Sequence, residues 1–294
     1  MKISGVMVLR NAVKLGYPFE VAIRSMAPLC DEIVVLVDPT GEDDTLRNVL
    51  AVGQNLDGWD MVWFGCDGTR RGLLRCFDPP STGKTLKVVM SSWDMTNHRG
   101  HTNCEISVQT AKACEAATGD WILSLQADEV LHEDEAKRLR TAVEIANQKG
   151  VSGIELQRLY FYGGLDRIRE DCTIWMVRLF KRGHWRPDVD GAMRFDPCSP
   201  AEIRMRTAAA KIYHYSRIGD PKQIAERVRN LDGFFHAPEA VQTGELPPYD
   251  FGQMRKLDTY VVGANIEEDA GARLVPFPID KHPAAAREYF TGTT

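Results

Sequence analysis

The sequence predicts an α/β fold in which a mostly parallel central sheet is flanked by helices. Three apolar runs, at residues 3–9, 33–37 and 121–125, are typical of strands buried inside a parallel sheet. Segments whose apolar residues have helical spacing lie between these runs. Strands that alternate with helices form βαβ units, and such units build parallel sheets.

The composition is that of an ordinary globular protein. The chain has 294 residues, of which 44% are hydrophobic and 26% charged, and this length suits one large domain or one domain with an extension. A formal net charge of −5 argues against a broad basic face for nucleic acid. The seven cysteines form no CxxC pair and are expected to be reduced thiols. No run approaches the roughly 18 apolar residues that cross a bilayer, so we expect a cytoplasmic protein without a transmembrane segment.

The first part of the chain supplies most of the expected parallel sheet. After the first strand a helix is expected over residues 17–26, and the second strand is followed by a helix that begins near Thr45. A further strand is expected at residues 59–64. Residues 65–100 are rich in loop-like sequences, and we expect a long loop there with a short strand near residues 86–90.

The second half of the chain changes its pattern. A helix over residues 105–118, stopped by Gly119, precedes the third apolar run, and a further helix ends at Gly150. Strands are then expected at residues 153–162, 173–181 and 210–215, and they form a small antiparallel element. A last helix, capped by Asp220, is expected from residue 221 onward. We expect a core domain over residues 1–235. Residues 236–294, rich in proline, glycine and acids, are expected to form an extension that wraps over this core.

Polar residues follow three strands of the predicted parallel sheet. Arg10 and Asn11 end the first strand, Asp38 ends the second, and the sequence Gln-Ala-Asp-Glu at residues 126–129 ends the third. Ligands of open parallel α/β sheets bind beyond the carboxyl ends of the strands. Every strand must end in something polar, but three polar ends together favour a ligand site at this edge.

The last of these clusters suggests metal chemistry. On an extended backbone Gln126 and Asp128 project to one side and Glu129 to the other, so Glu129 is expected to be structural. A carboxylate such as that of Asp128 can bind a hard divalent cation through oxygen. Such a cation can neutralise a diphosphate leaving group.

The same segment carries a family resemblance. Residues 116–129 read A-A-T-G-D-W-I-L-S-L-Q-A-D-E, which resembles the motif a-T-G-D-W-I-L-x-L-D-A-D-E of family 2 glycosyltransferases. Residues 33–45, 177–182 and 213–221 resemble, in the same order, that family's E-I-V-V-x-D-x-x-S-x-D-x-T, R-L-F-R-R and H-Y-x-x-x-D-P segments. The resemblance covers about residues 1–235. It implies a Rossmann-like GT-A fold and an inverting transfer of sugar from a nucleoside-diphosphate donor, most commonly a uridine nucleotide, to a hydroxyl acceptor.

The resemblance also implies roles for particular residues. Asp38 would contact the base or ribose, and the backbone around Arg10 and Asn11 would line the base pocket. Asp128 and His214 would hold a divalent cation, Mn²⁺ or Mg²⁺, at the diphosphate.

Further roles and one departure concern the phosphate end. Arg217 or Lys222 would lie near the phosphates. The first acid of the family's Asp-x-Asp motif is Gln126 here, whose amide can bond a ribose hydroxyl but adds no negative charge near a cation.

The general base of such a reaction is commonly a carboxylate. The family places it after the R-L-F strand, where Asp188 and Asp190 are the candidates. We favour Asp190 because the glycine that follows it allows close approach. A loop aspartate that caps a turn is an equally simple explanation for either residue.

Other interpretations remain open. A catalytically degenerate domain that binds nucleotide-sugar without turnover is suggested by Gln126. A nucleotidyltransferase is disfavoured because no glycine-rich loop follows the first strand. A P-loop at residues 81–85 lacks its first glycine, and a zinc site at His98, His101 and Cys104 lacks a fourth ligand. The acceptor could be a glycan, a protein side chain, a metabolite or a modified nucleobase.

Overall fold

The computed structural model describes residues 1–65, 68–75, 83–96, 104–187, 193–195, 204–234 and 273–292. This part of the chain contains a 12-stranded sheet and a two-stranded hairpin. The strands are β1 Ile3–Leu9, β2 Glu32–Val37, β3 Trp59–Phe64, β4 Arg70–Arg75, β5 Lys84–Met90, β6 Trp121–Ser124, β7 Glu129–Leu131, β8 Gly153–Tyr162, β9 Arg167–Arg169, β10 Ile174–Lys181, β11 Trp185–Pro187, β12 Met193–Phe195, β13 Arg204–Arg217 and β14 Leu274–Pro276. The helices are α1 Phe19–Met26, α2 Thr45–Gln54, α3 Glu105–Ala116, α4 Ala136–Gln148, α5 Pro221–Asp232 and α6 Ala284–Thr291. None of these helices is long and apolar enough to cross a bilayer.

Five parallel strands form the centre of the sheet, in the order β6-β1-β2-β5-β3. All six residues of β2 are buried, as its continuous apolar run predicts for a strand covered on both faces. Alternate residues of β2 face different layers. Ile33, Val35 and Val37 join the core that contains α1, α2 and α4, whereas Val34 and Leu36 pack in the layer that contains α3. The predicted α/β fold is therefore confirmed.

Further strands, most of them antiparallel to their neighbours, extend the sheet on both sides. β10 pairs with β6 and β8, and β13 pairs with β8 in parallel and with β7 antiparallel. On the other side β4 pairs with β3, so the expectation of a long loop with one short strand near residues 86–90 was wrong for residues 70–75. β4 could not be predicted as a strand because its sequence, R-R-G-L-L-R, does not alternate between apolar and polar residues. Its Gly72 lies against Trp63, whose ring would be 2.2 Å from any Cβ at that position.

A buried carboxylate joins the central strands to the segment before β6. Glu32 accepts hydrogen bonds from the hydroxyl of Ser4 (2.5 Å) and from the backbone N–H of Thr118 (2.7 Å), and it pairs with Lys87 at 2.8 Å. The N–H of Gly119 donates to the Ser4 hydroxyl at 2.8 Å, and a Cβ on Gly119 would lie 2.7 Å from the Ser4 nitrogen. The Thr-Gly part of the family-like motif therefore stabilises the sheet.

The described C-terminal residues pack on the core. β14 pairs with β9, and Phe277, Ala286 and Phe290 join the main apolar core. His282 is held between the Tyr215 hydroxyl, 2.9 Å from its Nδ1, and the carbonyl of Leu165, 2.8 Å from its Nε2. The predicted division at residue 235 stays a prediction, because residues 235–272 lie outside the described part of the chain.

Candidate active site

The three predicted polar clusters lie at one edge of the sheet. β1 runs between β2 and β6, and all three strands point the same way. The N–H of Asp38 donates to the carbonyl of Leu9 at 3.0 Å, so β2 ends level with the end of β1. The N–H of Leu125 donates to the carbonyl of Val6 at 3.2 Å, so the pairing of β6 with β1 ends three residues before the end of β1.

Asp38 is a buried, fully bonded carboxylate at this edge. Its Oδ2 accepts from Arg10 Nε at 2.8 Å, and its Oδ1 accepts from the N–H and hydroxyl of Thr40 at 2.9 and 2.7 Å. The carboxylate itself is fully buried, and it holds the partly exposed Arg10 and the exposed Thr40 at the end of the sheet. The pair of Arg10 and Asp38 therefore joins the end of β1 to the end of β2.

Asn11 shapes the loop that follows β1. Its φ is +50°, a left-handed conformation that asparagine tolerates better than most residues. Its Oδ1 accepts from the N–H of Glu42 at 2.8 Å, and a Cβ on Gly41 would lie 2.9 Å from the same atom. The side chain of Asn11 thus joins the two loops.

The cluster after β6 differs from the sequence expectation. Residues 126–129 form a turn, closed by a hydrogen bond from Glu129 N–H to the carbonyl of Gln126 at 3.1 Å, and not a continuation of β6. The alternation argument that placed Gln126 beside Asp128 therefore does not apply. Glu129 is buried and pairs with Arg178 at 2.6 Å, in agreement with its expected structural role.

Asp128 and His214 come together from distant parts of the chain. The N–H of Tyr215 donates to the carbonyl of Asp128 at 2.9 Å, which fixes the turn against β13. Asp128 Oδ1 then lies 3.6 Å from His214 Nε2, and both side chains are more than 90% buried. Burial, reinforced by four arginines, lowers the pKa of His214 well below its ordinary range, so the ring is neutral near pH 7.

A group of arginines surrounds this pair. The charges that act on His214, after burial itself, are those of Arg158, Arg178, Arg217 and Arg227. Arg158 was missed by the sequence reasoning, although an arginine inside the apolar strand G-I-E-L-Q-R-L-Y-F-Y was a visible signal. Its guanidinium lies 5.5 Å from the centroid of the Tyr160 ring.

Arg227 and Lys222, both on α5, differ in role. Arg227 is buried and donates to the carbonyls of Leu15 (2.6 Å), Ser216 (3.1 Å) and Ile218 (3.1 Å), and also to that of Gly16. Lys222 is exposed, and its backbone N–H donates to the capping Asp220 at 2.7 Å. Arg227 is therefore a brace between loops. The charge of Arg217 acts on His214, and the phosphate roles of Arg217 and Lys222 stay predictions.

The donor set does not fit a divalent cation unaided. Among the described residues no three His, Cys, Asp or Glu side chains converge as a metal site. Asp128 and His214 supply two ligands, of which one is uncharged. Mg²⁺ and Mn²⁺ prefer several oxygen ligands and negative surroundings, whereas this pair lies among guanidinium groups.

Several predicted residues lie outside the described part of the chain. Asp188 and Asp190 fall between the paired strands β11 and β12 of the hairpin, so their role as general base stays a prediction. His98 and His101 of the weak zinc hypothesis are also undescribed, and Cys104 is buried in a small apolar cluster with Phe234.

Comparisons with known proteins give only distant likenesses. No protein-family model matches the sequence, and no curated protein matches it. Residues 1–349 of S. aureus TarS in complex with UDP are 18% identical over 56% of this chain and 37% of that one, with a TM-score of 0.35. The complex of the same fragment with UDP-GlcNAc gives 14% identity over 79% and 65%, with a TM-score of 0.42. Glucosyl-3-phosphoglycerate synthase from Mycobacterium tuberculosis, with Mn²⁺, UDP and glucosyl-3-phosphoglycerate, gives 17% identity over 56% and 46%, with a TM-score of 0.31.

The chain therefore spans less than two thirds of each of these structures. All three TM-scores lie below 0.5, so the function of this chain has to be argued from its own residues.

Proposed function

We propose that this chain is a glycosyltransferase that moves a sugar from a nucleoside-diphosphate donor, most simply a UDP-sugar, to a hydroxyl acceptor. The observation that carries the proposal is the meeting of three polar strand ends at one edge of a parallel sheet. This edge is where open α/β sheets bind their ligands. The motif resemblance over residues 116–129 supplies the reaction class.

The site has two chemically different ends that match the two ends of such a donor. At the ends of β1 and β2, Arg10 and the exposed Thr40, which both bond the buried Asp38, offer polar groups that suit a ribose and a base. At the end of β6, Asp128 and His214 lie among arginines, which suit phosphates. A nucleoside diphosphate laid along this edge would place its sugar beyond Asp128.

The proposed chemistry is a displacement at the anomeric carbon. The acceptor oxygen forms the new bond while the bond to the diphosphate oxygen breaks, and the acceptor proton passes to a carboxylate. Asp190 is the favoured base and Asp188 the alternative. The predicted divalent cation is left out of this scheme, because Asp128 and His214 do not fit one by themselves.

A binding domain without turnover is the second candidate. It is favoured by Gln126, which stands where the resembled motif has an acid, and by the engagement of Asp38 with Arg10 and Thr40. Both candidates predict nucleotide binding, and only the first predicts release of nucleotide from a sugar donor.

The first experiment is thermal unfolding with a panel of nucleosides, nucleoside diphosphates and their sugars. Ligands that bind the native state raise the melting temperature, and we expect one base to be selected. Asp38→Ala should abolish the shift, whereas Asp134→Ala, which removes an exposed carboxylate, should not. Absence of a shift with every nucleotide would refute the proposal.

Turnover separates the two candidates. Release of nucleoside diphosphate from the selected donor would be followed with and without simple hydroxyl acceptors. Asp190→Asn is expected to retain the thermal shift and lose the release. Binding by the wild type with no release from any donor would favour the binding domain.

A further inference from the structure

Arg158 is a buried charge without the hydrogen bonds that buried charges usually have. Its side chain is 6% exposed, and its Nε and Nη2 atoms have no hydrogen-bond partner in the described part of the chain. Burying a guanidinium in this way is costly, because Nε and Nη2 give up their hydration and gain no acceptor from the described residues. Such a group is expected where a ligand supplies the missing acceptors.

The register of the strands places Arg158 at the phosphate end of the proposed site. Arg158 and Tyr160 are two residues apart on β8 and therefore share a face, and the guanidinium lies 5.5 Å from the Tyr160 ring. Tyr160 is opposite His214 on β13, and the two rings are 4.9 Å apart. His214 in turn lies 3.6 Å from Asp128. These four side chains form a continuous row on one face of the sheet.

The charges around this row favour an anion. The guanidinium groups of Arg158, Arg178 and Arg217, which we call the guanidinium cluster, act on a neutral His214. Against these three groups stand the carboxylates of Asp128 and Glu129, so the five side chains together carry a net charge of about +1. Glu129 is engaged by Arg178 at 2.6 Å, whereas Asp128 lies 3.6 Å from the neutral His214.

We propose that Arg158 binds the diphosphate of the donor, so that guanidinium groups take the place of a divalent cation in neutralising the leaving group. This inference rests on the proposed function. When the bond between the anomeric carbon and the phosphate oxygen breaks, the electron pair stays on that oxygen. Arginine matches phosphate oxygens through paired N–H groups and keeps its proton throughout. Arg158 therefore stabilises the departing charge and takes no proton.

The test is calorimetric titration with UDP, uridine and inorganic pyrophosphate, in EDTA and again in Mn²⁺. We expect the wild type to bind UDP and pyrophosphate in EDTA. Arg158→Met should weaken both about tenfold to a hundredfold, the range of one to two charge-assisted hydrogen bonds, and leave uridine unchanged. The affinities of Arg158→Lys for UDP and pyrophosphate should lie between those of the wild type and of Arg158→Met. Arg186→Met, which removes an exposed arginine on β11, is the matched control.

The melting temperature of the ligand-free protein gives an independent readout. Because Arg158→Met removes a buried charge that lacks hydrogen bonds, it should raise this temperature while it weakens diphosphate binding. A merely structural arginine would do the opposite and would weaken uridine and UDP alike.

Asp128→Asn separates the guanidinium and metal mechanisms. It should strengthen or preserve UDP binding in EDTA, because it removes a negative charge from an anion site. UDP binding that requires Mn²⁺, is lost in Asp128→Asn and is unaffected in Arg158→Met would overturn this inference and leave the proposed function standing. If neither uridine nor any nucleotide binds under either condition, the proposed function itself fails.

Discussion

Replacing Glu32 with glutamine should weaken the whole sheet, and the loss should depend on pH in a defined way. Glu32 lies on β2 with 2% exposure. Burial alone would raise the pKa of its carboxyl, but hydrogen bonds from Lys87, Ser4 and Thr118 outweigh burial and lower this pKa from 4.5 to about 2.

The size of the effect follows from that pKa. One pH unit of difference between the folded and unfolded pKa corresponds to about 1.4 kcal/mol, so the ionised carboxylate of Glu32 contributes about 3 kcal/mol to the free energy of unfolding. Because the folded pKa is the lower one, this contribution is complete above about pH 4.5 and is lost as the pH falls towards 2.

The assay is urea denaturation of wild type and Glu32→Gln, followed by circular dichroism between pH 7 and pH 3. We expect a difference of about 3 kcal/mol at pH 7 that shrinks steadily below pH 4.5. Glu42→Gln is the control, since that carboxylate is 71% exposed in its pair with Lys14 and should change stability by less than about 1 kcal/mol. A difference that stays constant from pH 7 to pH 3 would refute the reasoning, because it would trace the loss to packing instead of charge.

Three further variants test other contacts. Gly119→Ala should destabilise by about 1–3 kcal/mol, measured in urea, since its Cβ would lie 2.7 Å from a backbone nitrogen. Arg178→Met should cost about 3–5 kcal/mol in the same assay, because it leaves Glu129 buried and unpaired. His282→Phe should cost about 1–3 kcal/mol at pH 7.5 by removing the partner of Tyr215. Burial lowers the pKa of His282, so its contribution declines below about pH 6.5 and the cost should be smaller at pH 5.5.

The central sheet could be predicted because its signals are local. The apolar runs that became β1, β2 and β6 are each long enough to define a buried strand, and the helices between them have clear apolar faces. Their parallel arrangement follows from the alternation of strands and helices. β4 escaped because its pairing depends on the fit of Gly72 to Trp63, a contact that no periodicity reveals.

The candidate site could be predicted only in part, for a similar reason. The strand ends marked Asn11, Asp38 and Asp128, and the topology brings them to one edge. The turn at residues 126–129 depends on hydrogen bonds between Gln126 and Glu129 and between Asp128 and β13. Its conformation could not be inferred from the alternation of side chains along a strand. Arg158 is visible in the sequence as a charge within an apolar strand. That its Nε and Nη2 have no hydrogen-bond partner among the described residues depends on the folded structure and could not be predicted.

The brace formed by Arg227 has a consequence for how the two ends of the site respond to a ligand. One guanidinium holds the loop after β1, through Leu15 and Gly16, and the end of β13, through Ser216 and Ile218. Neither segment can shift without disturbing acceptors on the other. Hydrogen–deuterium exchange should therefore slow in both segments when a ligand binds at only one end of the site. A nucleoside without phosphates should already slow amide exchange in β13, the strand that carries the proposed phosphate ligands.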